Sequence, residues 1–183
     1  MIPAPPLTNM RCRRYRPSDR SAALGIFDSN TDSLLESERA QFLAFVDGNQ
    51  GPYLVVEDHA GTIIGCGGVA RTGSSVALCW GIVGRRYHRR GVGRLLLRIR
   101  LGMAAGMPGV TEVMMNTSNE TAPFFEREGF ETLQVTQDFF RPGLHKHDMR
   151  LALDDHARQV IADKLEETLE AGHYVEGGIL QAR

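Results

Sequence analysis

The most constraining feature of this sequence is an apolar run that leads through a basic turn into a helix opened by glycines. Residues 75–83 are almost continuously apolar, which is typical of a strand covered on both faces. Four arginines lie in the turn of residues 84–90, and Gly91 and Gly93 follow at the start of a helical pattern. Glycines let backbone N–H groups converge, and a helix N-terminus adds unpaired donors and the positive end of its dipole. The segment therefore predicts a cradle for a compact anion such as a pyrophosphate.

Two familiar phosphate-binding motifs do not fit this turn. A dinucleotide-binding G-x-G-x-x-G would need a third glycine where Leu96 stands. A G-x-x-x-x-G-K-[ST] loop would need a lysine, and none lies nearby. The sequence thus favours neither nicotinamide nor ATP chemistry, and a G-x-G alone can also mark nothing more than a tight turn.

The remaining hydrophobic patterns predict a mixed α/β domain. Apolar runs bounded by turn residues predict strands, and apolar residues at helical spacing next to capping residues predict helices. Strands are predicted at residues 10–15, 53–57, 62–69, 75–83, 110–115, 131–137 and 145–153, and helices at 19–27, 34–46, 92–106, 121–129 and 154–172. We therefore expect a central mixed β-sheet flanked by helices, with a C-terminal helical extension.

Composition and charge exclude several classes of protein. Apolar residues make up 42% of the chain, and no run approaches the roughly 18 apolar residues of a membrane span. No secretory signal is apparent, and the three cysteines lack zinc-ligand spacing, so we expect a cytoplasmic protein without a metal site. The net charge is −1, yet residues 60–110 hold eight arginines and no Asp or Glu. This region suggests a site for a phosphorylated cofactor or a solvated arginine-rich face, and we expect no nucleic-acid partner.

Three blocks of the sequence carry a common likeness: the glycine turn of residues 88–93, residues 117–130 with an aromatic pair and Gly-Phe, and the hairpin of residues 139–151. Together they resemble the GNAT superfamily of acetyl-CoA-dependent N-acetyltransferases. Its signature [QR]-x-x-G-x-[GA] corresponds to residues 88–93, and the other two blocks resemble its strand–helix region and its last hairpin. The likeness covers residues 9–153 and implies an N-acetyltransferase domain there, followed by a C-terminal helical extension at residues 154–183.

The resemblance implies which residues bind acetyl-CoA as a co-substrate. Backbone amides from His88 to Arg94 would hold the pyrophosphate, and the end of the preceding strand would pair with the pantetheine arm. Asn119 and the helix after it would border the arm on its other side, with Phe125 beside the sulfur. The implied binding residues are Ile82, Val83, His88, Arg89, Arg90, Gly91, Val92, Gly93, Arg94, Asn119 and Phe125.

Three positions depart from the family pattern. His88 stands where Gln or Arg is usual, and Ala77 stands where some members carry a Glu general base. Phe125 stands where many members have a Tyr that protonates the leaving thiolate, and a Phe ring cannot donate a proton. No catalytic acid or base is therefore assigned. Three side chains near the expected thioester end have no motif behind them: Ser118, Glu120 and Cys79.

The sequence predicts an acyltransferase in which a primary amine of a small molecule or peptide attacks the thioester directly, with positioning supplying most of the acceleration. The alternative is a CoA-binding sensor that kept the cradle and lost the acid and base.

The last helix carries an apolar stripe of Val160, Ile161, Leu165 and Leu169. This stripe must cover either the domain's own sheet or a second copy, and a homodimer is the arrangement that we expect.

Overall fold

The strands and helices follow each other in the predicted order, with one further strand at the end of the chain. The computed structural model describes residues 5–30, 36–48 and 50–180. The strands are β1 (Arg11–Arg14), β2 (Tyr53–Glu57), β3 (Ile63–Thr72), β4 (Ser75–Val83), β5 (Glu112–Ser118), β6 (Glu131–Arg141), β7 (Leu144–Ala152) and β8 (Tyr174–Val175). The helices are α1 (Arg20–Asp28), α2 (Glu36–Asp47), α3 (Val92–Gly106), α4 (Ala122–Arg127) and α5 (Asp155–Glu170).

All eight strands form one sheet in the order β6-β7-β5-β4-β3-β2-β1-β8. Neighbouring strands are antiparallel except for two parallel pairs, β4 with β5 and β1 with β8. Helices pack on both faces of this sheet. The prediction of a mixed α/β fold is therefore confirmed.

Strand β2 shows why both faces of the sheet need helices. Leu54 and Val56 belong to the core cluster that contains α3, whereas Tyr53 and Val55 belong to the cluster that contains α1 and α2. Successive strand residues point to opposite faces, so a strand with four buried residues in a row needs a layer on each side.

Some element boundaries differ from those that the sequence predicted. Strand β6 continues to Arg141 rather than residue 137, and β7 begins at Leu144, so the hairpin turn is short. Helix α2 ends at Asp47, and residues 34 and 35 of the predicted helix lie outside the described residues. These differences leave the order of the elements unchanged.

The C-terminal segment packs on the outer side of α3. Asp154 caps α5 as predicted, because its Oδ1 accepts a hydrogen bond from the Ala157 N–H at 2.8 Å. Gly102 of α3 leaves the space into which Leu165 packs, and a Cβ there would lie 2.9 Å from the Leu165 Cδ2. Strand β8, which the sequence did not predict, then pairs with β1. The stripe of α5 thus covers α3 of the same chain.

Candidate active site

The candidate site is a cleft that opens where β4 and β5 separate. These parallel strands pair only from Ser75 to Ala77 on β4, opposite Glu112 to Met114 on β5. Each strand keeps its outer neighbour to the end, β3 for β4 and β7 for β5. Gly81 is exposed although it lies in a central strand. The facing edges beyond Ala77 therefore have backbone groups free to pair with an extended ligand.

A bulge shapes the β4 wall of the cleft. Cys66 of β3 pairs with Ile82 and Gly68 pairs with Cys79, so Trp80 and Gly81 together face a single residue. Trp80 has a φ of 44°, which few residues other than glycine adopt. The Tyr53 hydroxyl donates to the Trp80 carbonyl at 3.0 Å and holds this conformation.

The basic turn leads from this wall into α3. Gly91 is the N-cap of α3 with a φ of 88°, and no side chain caps the helix there. The N–H groups of the first turn therefore face outward without a side-chain acceptor. A Cβ at Gly93 would meet only Val83 Cγ2, at 3.7 Å. The backbone at residues 91–93 is thus open, as an anion cradle there would require, and the cradle itself stays a prediction.

His88 has a structural role that the sequence did not reveal. Its Nε2 donates to the Val83 carbonyl at 2.9 Å, and Asn30 Nδ2 donates to the same carbonyl at 3.0 Å. The Val83 carbonyl is thus already used within the protein. This carbonyl therefore has little capacity left to accept a hydrogen bond from the pantetheine arm.

The three arginines that flank the cradle have different surroundings. Arg89 is exposed, whereas Arg90 contacts the N-terminal residues: its Nε donates to the Pro5 carbonyl at 3.3 Å, and its carbonyl accepts from the Leu7 N–H at 3.0 Å. Arg94 lies 3.6 Å from a carboxylate oxygen of Glu128. Arg89 therefore has the side chain most open to a phosphate group.

Asn119 and Phe125 lie on the β5 side of the cleft. The Asn119 side chain holds the β6–β7 hairpin, because its Oδ1 accepts from the His145 N–H at 2.9 Å and its Nδ2 donates to the Gly143 carbonyl at 3.4 Å. Phe125 is half-buried, with its ring edge-on to Phe130 at 5.7 Å. The contacts of both side chains are therefore with the protein itself.

Comparison with known families identifies the chain. Residues 30–153, more than half of the sequence, match the family model of the acetyltransferase (GNAT) domain. The chain belongs to the GNAT acetyltransferase family. The prediction from the three sequence blocks is confirmed, and the protein is an acyltransferase.

Solved structures share the GNAT fold. A GNAT-family protein from Desulfovibrio desulfuricans is 22% identical, with a TM-score of 0.66, over 79% of this chain and 99% of that chain. The Salmonella typhimurium protein yncA, solved with its cofactor acetyl-CoA, is 22% identical with a TM-score of 0.64, over 81% and 96% of the two chains. The ribosomal-protein-S18-alanine N-acetyltransferase from Escherichia coli is 16% identical with a TM-score of 0.66, over 79% and 94%. No curated protein sequence matches.

The groups that could move protons in this GNAT site are few. Burial raises the pKa of the Cys79 thiol, so it is not a thiolate near neutral pH. Ser118 ends β5 and is half-buried, and Glu120 is exposed just beyond it. Ala77 and Phe125 carry no titratable group. Among the residues that the structure describes, no cluster of His, Cys, Asp or Glu could hold a metal ion.

Sequence reasoning missed one charged residue of the cleft. Arg100 counts among the eight arginines of residues 60–110, yet it is buried rather than exposed to solvent. The signal was available, because Val92, Leu96 and Arg100 repeat every four residues on the apolar face of α3.

Within the described ranges, no helix is long and apolar enough to cross a bilayer.

Proposed function

We propose that the protein transfers the acetyl group of acetyl-CoA to a primary amine. The observation that carries this proposal is the cleft between β4 and β5, which opens next to the glycine N-cap of α3. A helix N-terminus suits a pyrophosphate, and unpaired strand edges suit an arm with amide groups.

The residues of the cradle fit the CoA part of the substrate. Backbone N–H groups of Gly91, Val92 and Gly93 would bind the pyrophosphate, with Arg89 adding charge and the remaining turn residues holding the loop. Ile82 and Val83, at the end of β4, would border the pantetheine arm, and the Val83 carbonyl already accepts two hydrogen bonds within the protein. Acetyl-CoA would supply the activated acetyl group, and these residues would hold it in place for attack.

The chemistry that fits this site is direct attack by the amine. The bulge at Trp80 fixes the wall of the cleft, and the Tyr53 hydroxyl fixes the bulge. Holding the two reactants in a productive geometry replaces a bimolecular encounter and accounts for most of the acceleration that such a site can give. Water carries the protons, because neither Ala77 nor Phe125 can.

The acceptor would enter beside the elements that border the open end of the cleft. We infer that α1, α2 and the β6–β7 hairpin shape its pocket, and that it is a small molecule or peptide with a primary amine. Trp80 packs against Phe42 with ring centroids 5.6 Å apart, so this side of the sheet is aromatic.

An acetylation screen over a panel of amines tests the proposal, with release of free CoA thiol as the signal and calorimetry as a parallel measurement of CoA binding. We expect thiol release that depends on both acetyl-CoA and at least one amine. CoA binding without turnover on any amine would instead favour a sensor. A folded protein that does not bind CoA would contradict the proposal.

A further inference from the structure

Arg100 is a buried arginine without a counter-ion. Only 4% of this residue is exposed. Its Nε donates to the carbonyl of Leu96, one turn earlier in α3, at 3.3 Å. In the part of the chain that the structure describes, no carboxylate pairs with the guanidinium, and neither terminal nitrogen donates to a protein acceptor. A charge buried in this way is costly unless another group balances it.

The guanidinium lies directly behind the β4 wall of the cleft. A Cβ at Gly81 would lie 2.7 Å from Nη2 of Arg100 and 2.9 Å from Nη1, and a Cβ at Gly67 would lie 3.2 Å from Nη1. Two residues without side chains therefore make room for the charge. Gly81 is exposed and lies beyond Ala77, the last β4 residue paired with β5. A ligand at this open wall would face the guanidinium.

The side chains around Arg100 provide no negative charge. The titratable groups close enough to influence it are Cys12 of β1, in the same core cluster as α3, and Tyr53 of β2, Cys66 of β3 and Cys79 of β4, which belong to or pack against the cluster on the other face of the sheet. Burial raises the pKa of Cys12 to about 12 and of Cys66 to about 11, and it raises those of Tyr53 and Cys79 as well. Burial also lowers the pKa of Arg100 to about 10, which still leaves it charged at neutral pH.

The position of Arg100 along the cleft agrees with the expected path of the cofactor. It lies eight residues after Val92, or about 12 Å along α3 from the pyrophosphate cradle. Gly81 precedes Ile82 in the chain, on the side away from the turn. Because the pantetheine arm would run past Ile82 from the cradle inward, the charge lies toward the thioester end.

We propose that Arg100 stabilises the negative charge that passes from the thioester oxygen to the sulfur during acetyl transfer. The inference rests on the proposed function. The amine nitrogen forms the new C–N bond, the C–S bond breaks with its electron pair staying on sulfur, and the surplus amine proton goes to water. Since Phe125 cannot protonate the sulfur, a fixed positive charge takes over the role of a proton donor.

The pKa of the thiol of bound CoA measures this charge directly. The thiolate absorbs in the ultraviolet, so a pH titration of the complex gives the thiol pKa, with the complex of desulfo-CoA as the blank. The blank cancels the absorbance of the protein's own thiols, and burial raises the pKa of all three: Cys12 to about 12, Cys66 to about 11, and Cys79 above its usual value. The readout needs no turnover.

We expect the thiol of CoA bound to the wild-type protein to have a pKa about 1 lower than that of free CoA. Arg100→Met should remove this difference, and Arg100→Lys should keep part of it. Arg98→Met is the matched control on the same helix, because the Arg98 guanidinium donates to Thr168 of α5 at 2.9 Å and faces away from the cleft. Arg100→Met should also lower kcat about 100-fold with a nearly unchanged acetyl-CoA affinity.

Two results would overturn the inference and leave the proposed function intact: an unshifted thiol pKa in the wild-type complex, or the same lowered pKa in Arg100→Met. If Arg100→Met does not fold, the thiol pKa of CoA bound to the wild-type protein still tests the inference. A wild-type protein that fails to bind CoA would overturn both the inference and the proposed function.

Discussion

At the scale of single residues, the CoA cradle depends on backbone conformation more than on side-chain identity. Gly91 takes a φ of 88°, and the helix that follows has no side-chain cap. His88 differs from the usual Gln or Arg of the GNAT signature, yet its ring holds the Val83 carbonyl at the start of the turn. At this signature position, His88 therefore makes a hydrogen bond within the protein.

Substitution of Gly93 should separate cofactor binding from folding. A Cβ there meets only Val83 Cγ2, at 3.7 Å, so Gly93→Val should fold and yet weaken CoA binding more than tenfold by blocking close approach of the backbone. Gly91→Val should weaken binding likewise and also lose about 1 kcal/mol of stability, because its φ is positive. Gly61→Val is the control, with a φ of 79° in an open turn, and should keep full CoA affinity. Unchanged affinity in both cleft variants, measured by calorimetry, would contradict the cradle.

Removing the ring of Phe125 should act on binding rather than on proton transfer. We expect Phe125→Ala to weaken acetyl-CoA binding by about 1–3 kcal/mol through lost apolar contact. The pH dependence of turnover should keep its shape, since no titrating group is deleted. Phe125→Leu, which keeps most of the apolar volume, should lie close to the wild type. Normal acetyl-CoA affinity with abolished turnover in Phe125→Ala would show that this account of the position is wrong.

At the scale of elements, a buried arginine joins β1 to the start of α1 and to β2. Arg13 donates two hydrogen bonds to the Asp19 carboxylate, at 2.7 and 3.0 Å, and one to Glu57 at 2.7 Å. Burial alone would raise the pKa of the Asp19 carboxyl, but the hydrogen bonds from Arg13 and from the Arg16 N–H hold it below its usual value. These bonds fix the start of α1 to the sheet.

The Asp19 carboxylate should make the stability of the fold depend on pH in the acid range. Its pKa is lower in the folded state, so its contribution is present above the unfolded value of about 3.9 and is lost as the pH falls below that value. We expect Asp19→Asn to cost about 3 kcal/mol at pH 7 and to flatten the loss of stability between pH 4 and 2, as measured by urea unfolding.

The matched control for Asp19 is an exposed ion pair. Asp47 accepts two hydrogen bonds from Arg20, but both side chains are about half exposed, so Asp47→Asn should change the stability little. Equal effects of the two substitutions, or an Asp19→Asn variant with the wild-type acid profile, would contradict the assigned role of Asp19.

At the scale of the whole molecule, the homodimer stays a prediction, and two surfaces are available for it. The α5 stripe is largely used within the chain, which leaves Leu169 40% exposed. Strand β6 has a free edge in the sheet and carries exposed Leu133, Val135 and Phe139. An edge strand with apolar side chains is the better site for a second copy.

Light scattering on two variants distinguishes these surfaces. We expect Leu133→Asp on β6 to lower the mass of the homodimer to that of the monomer, and Leu169→Asp on α5 to leave it unchanged, because β6 carries exposed apolar side chains on a free sheet edge whereas the α5 stripe packs largely against its own chain. The opposite pattern would assign the interface to α5. A monomeric wild-type protein would contradict the homodimer itself.

The sequence predicted the fold because its signals are local, and the predicted cradle rests on signals of the same kind. The apolar run of residues 75–83 and the spacing of Gly91 and Gly93 are visible in the chain itself. The separation of β4 from β5 depends on pairing between distant segments, and β8 is too short to have a periodicity. Arg100 was missed because its surroundings come from β3 and β4, which are distant in sequence, although its position on the apolar face of α3 already indicated burial.

Hydrogen exchange with and without acetyl-CoA tests the central claim, that the cleft between β4 and β5 binds the donor. Peptides covering residues 80–95 and 115–120 should become protected on addition of acetyl-CoA, since the arm would pair with the strand edges and the pyrophosphate with the helix N-terminus. Residues 53–57 of β2, buried in the same sheet, should show no change. Protection confined to α5 and the neighbouring face of α3, with none in residues 80–95, would contradict the account.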